Sequence, residues 1–95
     1  MIKLVEIKKF KNKEVFEIDG KKFFIIEYKD NYFLLESICK HMGGPLEKGK
    51  LIDNLIECPW HGCKFDFKTG KSPNSSNKLI SKKAILKDGY ICLQS

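Results

Sequence analysis

Apolar and β-branched residues occur along this chain in short runs separated by turn signals, a pattern typical of β-strands. The runs cover residues 2–10, 14–18, 22–28 and 32–35 in the first part of the chain, and 79–86 and 90–93 near its end. Asp19-Gly20 is a strong signal for a two-residue hairpin turn between the second and third runs. No long amphipathic helix is indicated. The pattern therefore predicts an all-β domain whose strands form an antiparallel meander.

The middle of the chain departs from this pattern. Residues 37–70 contain both histidines, three of the four cysteines and a cluster of glycine and proline. Two loops, at 39–45 and 58–64, flank a short apolar run at 51–57. This arrangement indicates a site built from loops and inserted into the β-domain.

Lysine supplies all of the positive charge of the chain. The 18 basic residues exceed the 12 acidic ones, which gives a formal net charge of +6, and none of the basic residues is arginine. Because bidentate reading of guanine and clamping of phosphate depend on arginine, we expect no nucleic-acid partner. The lysines form either an ordinary solvated face or a surface that attracts an acidic partner.

The lengths of the apolar runs also indicate where in the cell the protein is located. None approaches the roughly 20 residues that span a bilayer, so we expect no membrane association. The opening Met-Ile-Lys-Leu-Val-Glu lacks the long apolar stretch of a signal peptide. We therefore expect a cytoplasmic protein, in which cysteines are more often metal ligands or free thiols than disulfides.

Two cysteine–histidine pairs lie in the middle segment. One residue separates Cys39 from His41, two separate Cys58 from His61, and sixteen lie between His41 and Cys58. The chain has no other histidine. Thiolate and imidazole suit zinc or iron–sulfur chemistry. The one-residue spacing is shorter than is usual in structural zinc sites and favours an iron–sulfur cluster, while a zinc-stabilised binding module remains the alternative.

This spacing and its neighbours resemble the Rieske motif, in which two histidines replace two cysteines on one iron of a [2Fe–2S] cluster. His-Met-Gly-Gly-Pro-Leu at 41–46 is similar to the first cluster loop of that family. Cys-Pro-Trp-His-Gly-Cys-Lys-Phe-Asp at 58–66 is similar to the second. The two thiolates would hold one iron and the two imidazoles the other. The resemblance thus implies a [2Fe–2S] cluster with the ligands Cys39, His41, Cys58 and His61.

The resemblance also implies a fold and a cluster environment. We expect a Rieske-like antiparallel β-sandwich over residues 1–95 as one domain, with a loop-built cluster-binding subdomain at about 37–72. Glycines in the loops allow tight turns and bring backbone N–H groups close to sulfur. A segment at 72–77 is similar to the proline loop that covers the cluster in the family. The residues expected around the cluster are Gly43, Gly44, Gly62, Cys63, Lys64 and Pro73.

Several side chains near the loops have competing interpretations. Cys63 is either a hydrogen-bond donor to sulfur or a small filler at a tight position. Trp60 is either a shield that keeps water from the cluster or a docking residue for a partner. Cys92 lies in a predicted strand and is expected to be a buried apolar thiol. Phe65 and Phe67 are expected in the core.

The resemblance further indicates a low reduction potential. High-potential members of the family have a disulfide between the two loops and two O–H donors to sulfur. Here Gly44 and Trp60 occupy the disulfide positions, and Cys63 and Phe65 occupy those of the donors. A thiol is a weak donor and phenylalanine is none. We therefore expect a potential near the low end of the Rieske range, which extends from about −150 to +300 mV.

The function implied by the resemblance is one-electron transfer, without enzymatic activity of the chain itself. Soluble ferredoxins of this kind take an electron from a flavoprotein reductase and pass it to a terminal oxygenase. A small Rieske subunit of a reductase complex, such as nitrite reductase, is a related alternative. A catalytic Rieske oxygenase would need a second iron held by two histidines and a carboxylate, and no histidine remains for it.

Overall fold

The computed structural model describes residues 2–38, 44–60, 62–73, 76 and 78–93. Within these ranges the regular structure is almost entirely β. The strands are β1 (Ile2–Glu6), β2 (Val15–Ile18), β3 (Lys21–Tyr28), β4 (Asn31–Glu36), β5 (Lys50–Ile52), β6 (Leu55–Glu57), β7 (Lys64–Asp66), β8 (Ser81–Lys87) and β9 (Tyr90–Leu93). Two short 3₁₀ turns occupy Ile7–Lys9 and Leu46–Lys48. Neither of these turns, nor any other helix in the described part of the chain, could cross a membrane.

Six strands form an antiparallel sheet in the order β1-β9-β8-β4-β3-β2. The predicted meander is confirmed for β2, β3 and β4, and β8 forms a hairpin with β9. Asp19 and Gly20, with φ of 52° and 80°, make the turn between β2 and β3 in the left-handed conformation that this dipeptide allows. The sheet is completed by β8 beside β4 and β1 beside β9. These two pairings join distant segments, and the sequence pattern does not predict them.

Three segments differ from the sequence prediction. The run at 2–10 is a strand only as far as Glu6 and then becomes a 3₁₀ turn. The run at 51–57 is a hairpin of β5 and β6, because Asp53 adopts a left-handed φ of 51° and turns the chain with Asn54. β7 has no counterpart among the predicted strands; it pairs with β6 to complete a three-stranded sheet, β5-β6-β7.

Alternate residues of β3 and β4 are buried on opposite faces of the large sheet. Phe23, Ile25 and Leu34 pack on one face with residues of β1, β2, β8 and β9. Because strands from both ends of the sheet contribute to this single cluster, the sheet curls back on itself. The expected antiparallel β-sandwich is thus confirmed, with β3 and β4 at its centre.

The other face of β3 and β4 supports the three-stranded sheet. Its core combines side chains of both sheets: Phe24, Ile26, Phe33, Leu35, Leu46, Ile56, Cys58, Phe65, Phe67 and Leu79. Phe65 and Phe67 are almost inaccessible to solvent, as expected from the sequence. Burial of one such side chain contributes about 1.5–3 kcal/mol, so this shared core fixes the small sheet against the large one.

Two glycines allow the backbone of the small sheet to pack closely. A Cβ at Gly49 would collide with the carbonyl of Glu57, and a Cβ at Gly70 would collide with the carbonyl of Leu79. Gly70 also has a φ of +81° and accepts a hydrogen bond of 2.8 Å from the Leu79 N–H. The first contact lies within the small sheet, and the second joins the loop after β7 to the segment before β8.

Candidate metal centre

The first predicted ligand loop is closed at its base. Ile38 and Pro45 form an antiparallel bridge, and the Leu46 N–H donates to the carbonyl of buried Ser37 at 2.7 Å. The Ser37 N–H in turn donates to the Lys22 carbonyl at 3.0 Å, which ties the loop to β3. Residues 39–43 connect the two sides of this base. Three residues predicted in this loop lie outside the described residues, namely Cys39, His41 and Gly43.

The second predicted ligand loop joins β6 to β7 and is also closed. The Cys58 N–H donates to the Cys63 carbonyl at 2.6 Å, and the Gly62 N–H donates to the Cys58 carbonyl at 3.1 Å. Gly62 has a φ of +69°, a conformation that L side chains rarely adopt. Its N–H closes the loop, and its predicted place beside the cluster stays a prediction. The ligand candidate His61 lies outside the described residues.

The two loops meet at Gly44, Cys58 and Trp60. The side chain of Cys58 is buried and unoxidised, and Gly44 is buried beside it. A Cβ built on Gly44 would lie 2.8 Å from Cys58 Sγ and 3.1 Å from Trp60 Cδ2. No larger residue fits without displacement, so the end of the first loop lies directly against the thiol of the second.

The remaining predicted site residues lie around this contact or apart from it. Cys63 is partly buried against the shared core, which supports its interpretation as a filler. Trp60 is 57% exposed, and its roles as a shield of the cluster or as a docking residue stay predictions. Pro73 is exposed in a loop whose base is the bridge between Lys71 and Lys78, and its predicted contact with the cluster stays a prediction. Cys92 is buried, as expected, and donates weakly to the Tyr90 carbonyl.

A charged pair at the base of the second loop was not evident from the sequence motifs. Glu57 and Lys64 face each other across β6 and β7, and Lys64 Nζ lies 3.9 Å from Glu57 Oε2. Lys64 is therefore a partly exposed residue of β7 paired with Glu57, and its predicted place beside the cluster stays a prediction. The signal for this pair is its position: the two opposite charges directly flank the segment 58–63.

The described residues fit a metal cluster chemically. Cys58 offers a soft sulfur donor inside an apolar core, and both ligand loops are closed by backbone hydrogen bonds. Within the part of the chain that the structure describes, no three potential ligands form a group. Three of the four predicted ligands lie outside that part, so the complete ligand set stays a prediction.

Comparison with protein families agrees with this site. The family model described as the Rieske [2Fe–2S] domain matches residues 1–79. The chain therefore belongs to the Rieske [2Fe–2S] domain family, and its cofactor is a [2Fe–2S] cluster. This match favours the cluster over the zinc site left open by the ligand spacing.

Two relatives of known name are similar to part of this chain. Apoptosis-inducing factor 3 of Homo sapiens is 35% identical over 54 residues, which cover 57% of this chain and only 9% of that protein. The 3-phenylpropionate/cinnamic acid dioxygenase ferredoxin subunit of Photorhabdus laumondii is 30% identical over 70 residues, covering 70% of this chain and 67% of the subunit. The chain thus spans a small part of the first relative and two thirds of the second.

Solved structures share the fold over nearly the whole chain. The ferredoxin of Sphingomonas yanoikuyae B1 has a TM-score of 0.81 at 21% identity, with 99% of this chain and 97% of that chain covered. A protein described as a nitrite reductase NADPH small subunit has a TM-score of 0.84 at 14% identity, with the same coverage. At these identities the likeness establishes the fold alone.

Proposed function

We propose that this chain is a one-electron carrier of the ferredoxin type and is not itself an enzyme. The observation that supports this most directly is the match to the Rieske family over residues 1–79, together with the buried Cys58 thiol where the two ligand loops meet. When bound, a [2Fe–2S] cluster stores and releases one electron. We propose that it is held by Cys39, His41, Cys58 and His61.

The described residues perform supporting roles in this proposal. Cys58 supplies a thiolate, and Leu46, Ile56 and Phe65 surround it in the shared core and limit the access of water to its sulfur. The hydrogen bonds at the base of each loop hold the predicted ligands in place during a change of charge. Little reorganisation of the chain is then needed for each electron transfer.

The proposed partners are a flavoprotein reductase as donor and an oxygenase as acceptor. The name of the Photorhabdus relative, a dioxygenase ferredoxin subunit, supports the second of these. The fold likeness to the nitrite reductase small subunit carries no functional information at 14% identity, so we prefer the oxygenase-type role. Co-purification with a larger reductase would favour the alternative.

The surface around the ligand loops indicates the kind of partner. Trp60 and Ile38 are both more than half exposed, and each belongs to a segment that ends at a ligand loop. Lys21 and Lys22 line a recess beside Ile38, and Lys48 and Lys50 line another that includes Cys58 and Gly62. An apolar centre with a lysine rim suits a redox protein with an acidic surface.

We also propose a cytoplasmic location. Among the described residues, the thiols of Cys63 and Cys92 form no disulfide. Free thiols suit a reducing compartment, in which structural disulfides are rare.

Metal and acid-labile sulfide analysis of the purified chain tests the proposal. We expect about two irons and two sulfides per chain, the content of one [2Fe–2S] cluster, and an EPR signal after reduction with dithionite. Cys58→Ala should abolish or convert this signal. Cys92→Ala is the matched control, because Cys92 is equally buried but lies in β9, and it should retain the cluster. One zinc per chain without sulfide would contradict the proposal.

A further inference from the structure

The contact between Gly44 and Trp60 joins the two ligand loops at the side of Cys58. A Cβ on Gly44 would lie 3.1 Å from Cδ2 and 3.2 Å from Cγ of the indole, and 2.8 Å from Cys58 Sγ. Since that Cβ would be one bond away from the Gly44 Cα, the Gly44 backbone lies close to both the thiol and the indole ring.

Burial in the core does not explain the position of Trp60. The ring is 57% exposed and contributes to neither of the two core clusters formed by the described residues. The ring lies beside Gly44, the last residue of the first loop before the bridge at Pro45. An exposed aromatic ring that packs on a glycine of another loop connects the two loops.

We propose that Trp60 is a positioning residue that clamps the first ligand loop against the loop carrying Cys58. Because Gly44 has no side chain, the indole can approach the backbone of the first loop. The clamp therefore depends on both residues. This inference rests on the proposed function, because the clamp matters for a cluster whose ligands come from both loops. Loss of the ring would let the loops separate and the cluster leave.

Trp60→Ala tests the clamp through the rate at which the visible absorbance of the holoprotein disappears in the presence of an iron chelator. We expect a loss about tenfold faster than in the wild type, since the substitution removes the packing of the indole on the first loop. Trp60→Phe retains a ring and should recover most of the difference. Leu86→Ala removes a similarly exposed apolar side chain in β8 and should leave the rate unchanged.

A second measurement separates failure of the clamp from failure of the proposed function. The Leu46 amide donates to Ser37 at the base of the first loop. Hydrogen exchange at this amide therefore reports how often the base of the loop opens, whether or not metal is bound. We expect faster exchange there in Trp60→Ala and unchanged exchange in the β8–β9 hairpin. Equal chelation rates in Trp60→Ala and Leu86→Ala, or an unchanged Leu46 amide, would overturn the clamp. A wild-type chain without iron and sulfide would instead overturn the carrier function.

Discussion

A methyl group at residue 44 would lie 2.8 Å from Cys58 Sγ, which is closer than real Cβ contacts. The contact between the two loops therefore depends on the absence of a side chain at Gly44. By the family resemblance, Gly44 and Trp60 occupy the positions of loop-tying cysteines in high-potential members. The structure places these two residues in contact, and in the proposed clamp their packing would take the place of a covalent tie.

The reduction potential is a prediction at the same scale. Phe65 is buried in the core and has no O–H group, and Cys63 packs against that core with only a weak donor. With few hydrogen bonds to sulfur, the negative charge of the reduced state is poorly compensated. We expect a midpoint near the low end of the Rieske range, about −150 mV, in a dye-mediated redox titration. A midpoint near the upper end, about +300 mV, would contradict this reasoning.

At the scale of elements, close backbone contacts at two glycines add to the shared core that fixes the small sheet. Gly49 lies against the carbonyl of Glu57 in β6, and Gly70 lies against that of Leu79 just before β8. The Lys13 ammonium adds a hydrogen bond of 2.8 Å to the Gly49 carbonyl, which connects the segment before β2 to the small sheet.

Gly70 and Gly89 form a matched pair for testing how much the close backbone contact contributes to stability. Their φ values are +81° and +79°, but only Gly70 has a carbonyl where a Cβ would lie, whereas Gly89 faces open space. Gly89→Ala should cost about 1 kcal/mol from backbone strain alone. Gly70→Ala should cost about 2–4 kcal/mol, because the steric collision with Leu79 adds to the strain. Urea unfolding measures both, and equal losses would show that the close contact contributes nothing.

At the scale of the whole molecule, charge and topology act together. The lysines give the chain its net charge of +6, while topology brings some of them to the end that bears the ligand loops. Lys21 and Lys22 begin β3 beside Ser37, at this end of the sheet. β8 runs antiparallel to β4, so Lys87 lies at the opposite end.

This uneven distribution of lysines predicts that an acidic partner binds at the ligand-loop end and that the association depends on salt concentration. Reduction of an acidic redox partner should slow by about tenfold as ionic strength rises, because attraction between the surfaces is screened. Reversing Lys21 and Lys22 to Glu should slow association more than reversing Lys83, which pairs with Phe33 in the middle of β4, and Lys87 at the opposite end. Both changes alter the net charge equally. Stopped-flow rates at several salt concentrations provide the measurement, and equal effects of the two pairs would exclude docking at the ligand-loop end.

The amino-acid sequence by itself determined the strand-rich class, the Asp19-Gly20 turn and the cysteine–histidine pattern. Each of these is local: turns follow from the φ preferences of a few residues, and the ligand types follow from spacing along the chain. The same holds for Phe65 and Phe67, whose large apolar rings had few alternatives to the core.

Only the tertiary structure decided the pairing of β8 with β4 and of β1 with β9, and the contact of Gly44 with Cys58 and Trp60. It likewise decided that the Gly62 N–H closes its own loop and that Lys64 pairs with Glu57. These arrangements depend on which surfaces are buried together across long separations in sequence. Such burial is a property of the packed chain as a whole, so periodicity and motifs along the chain do not contain it.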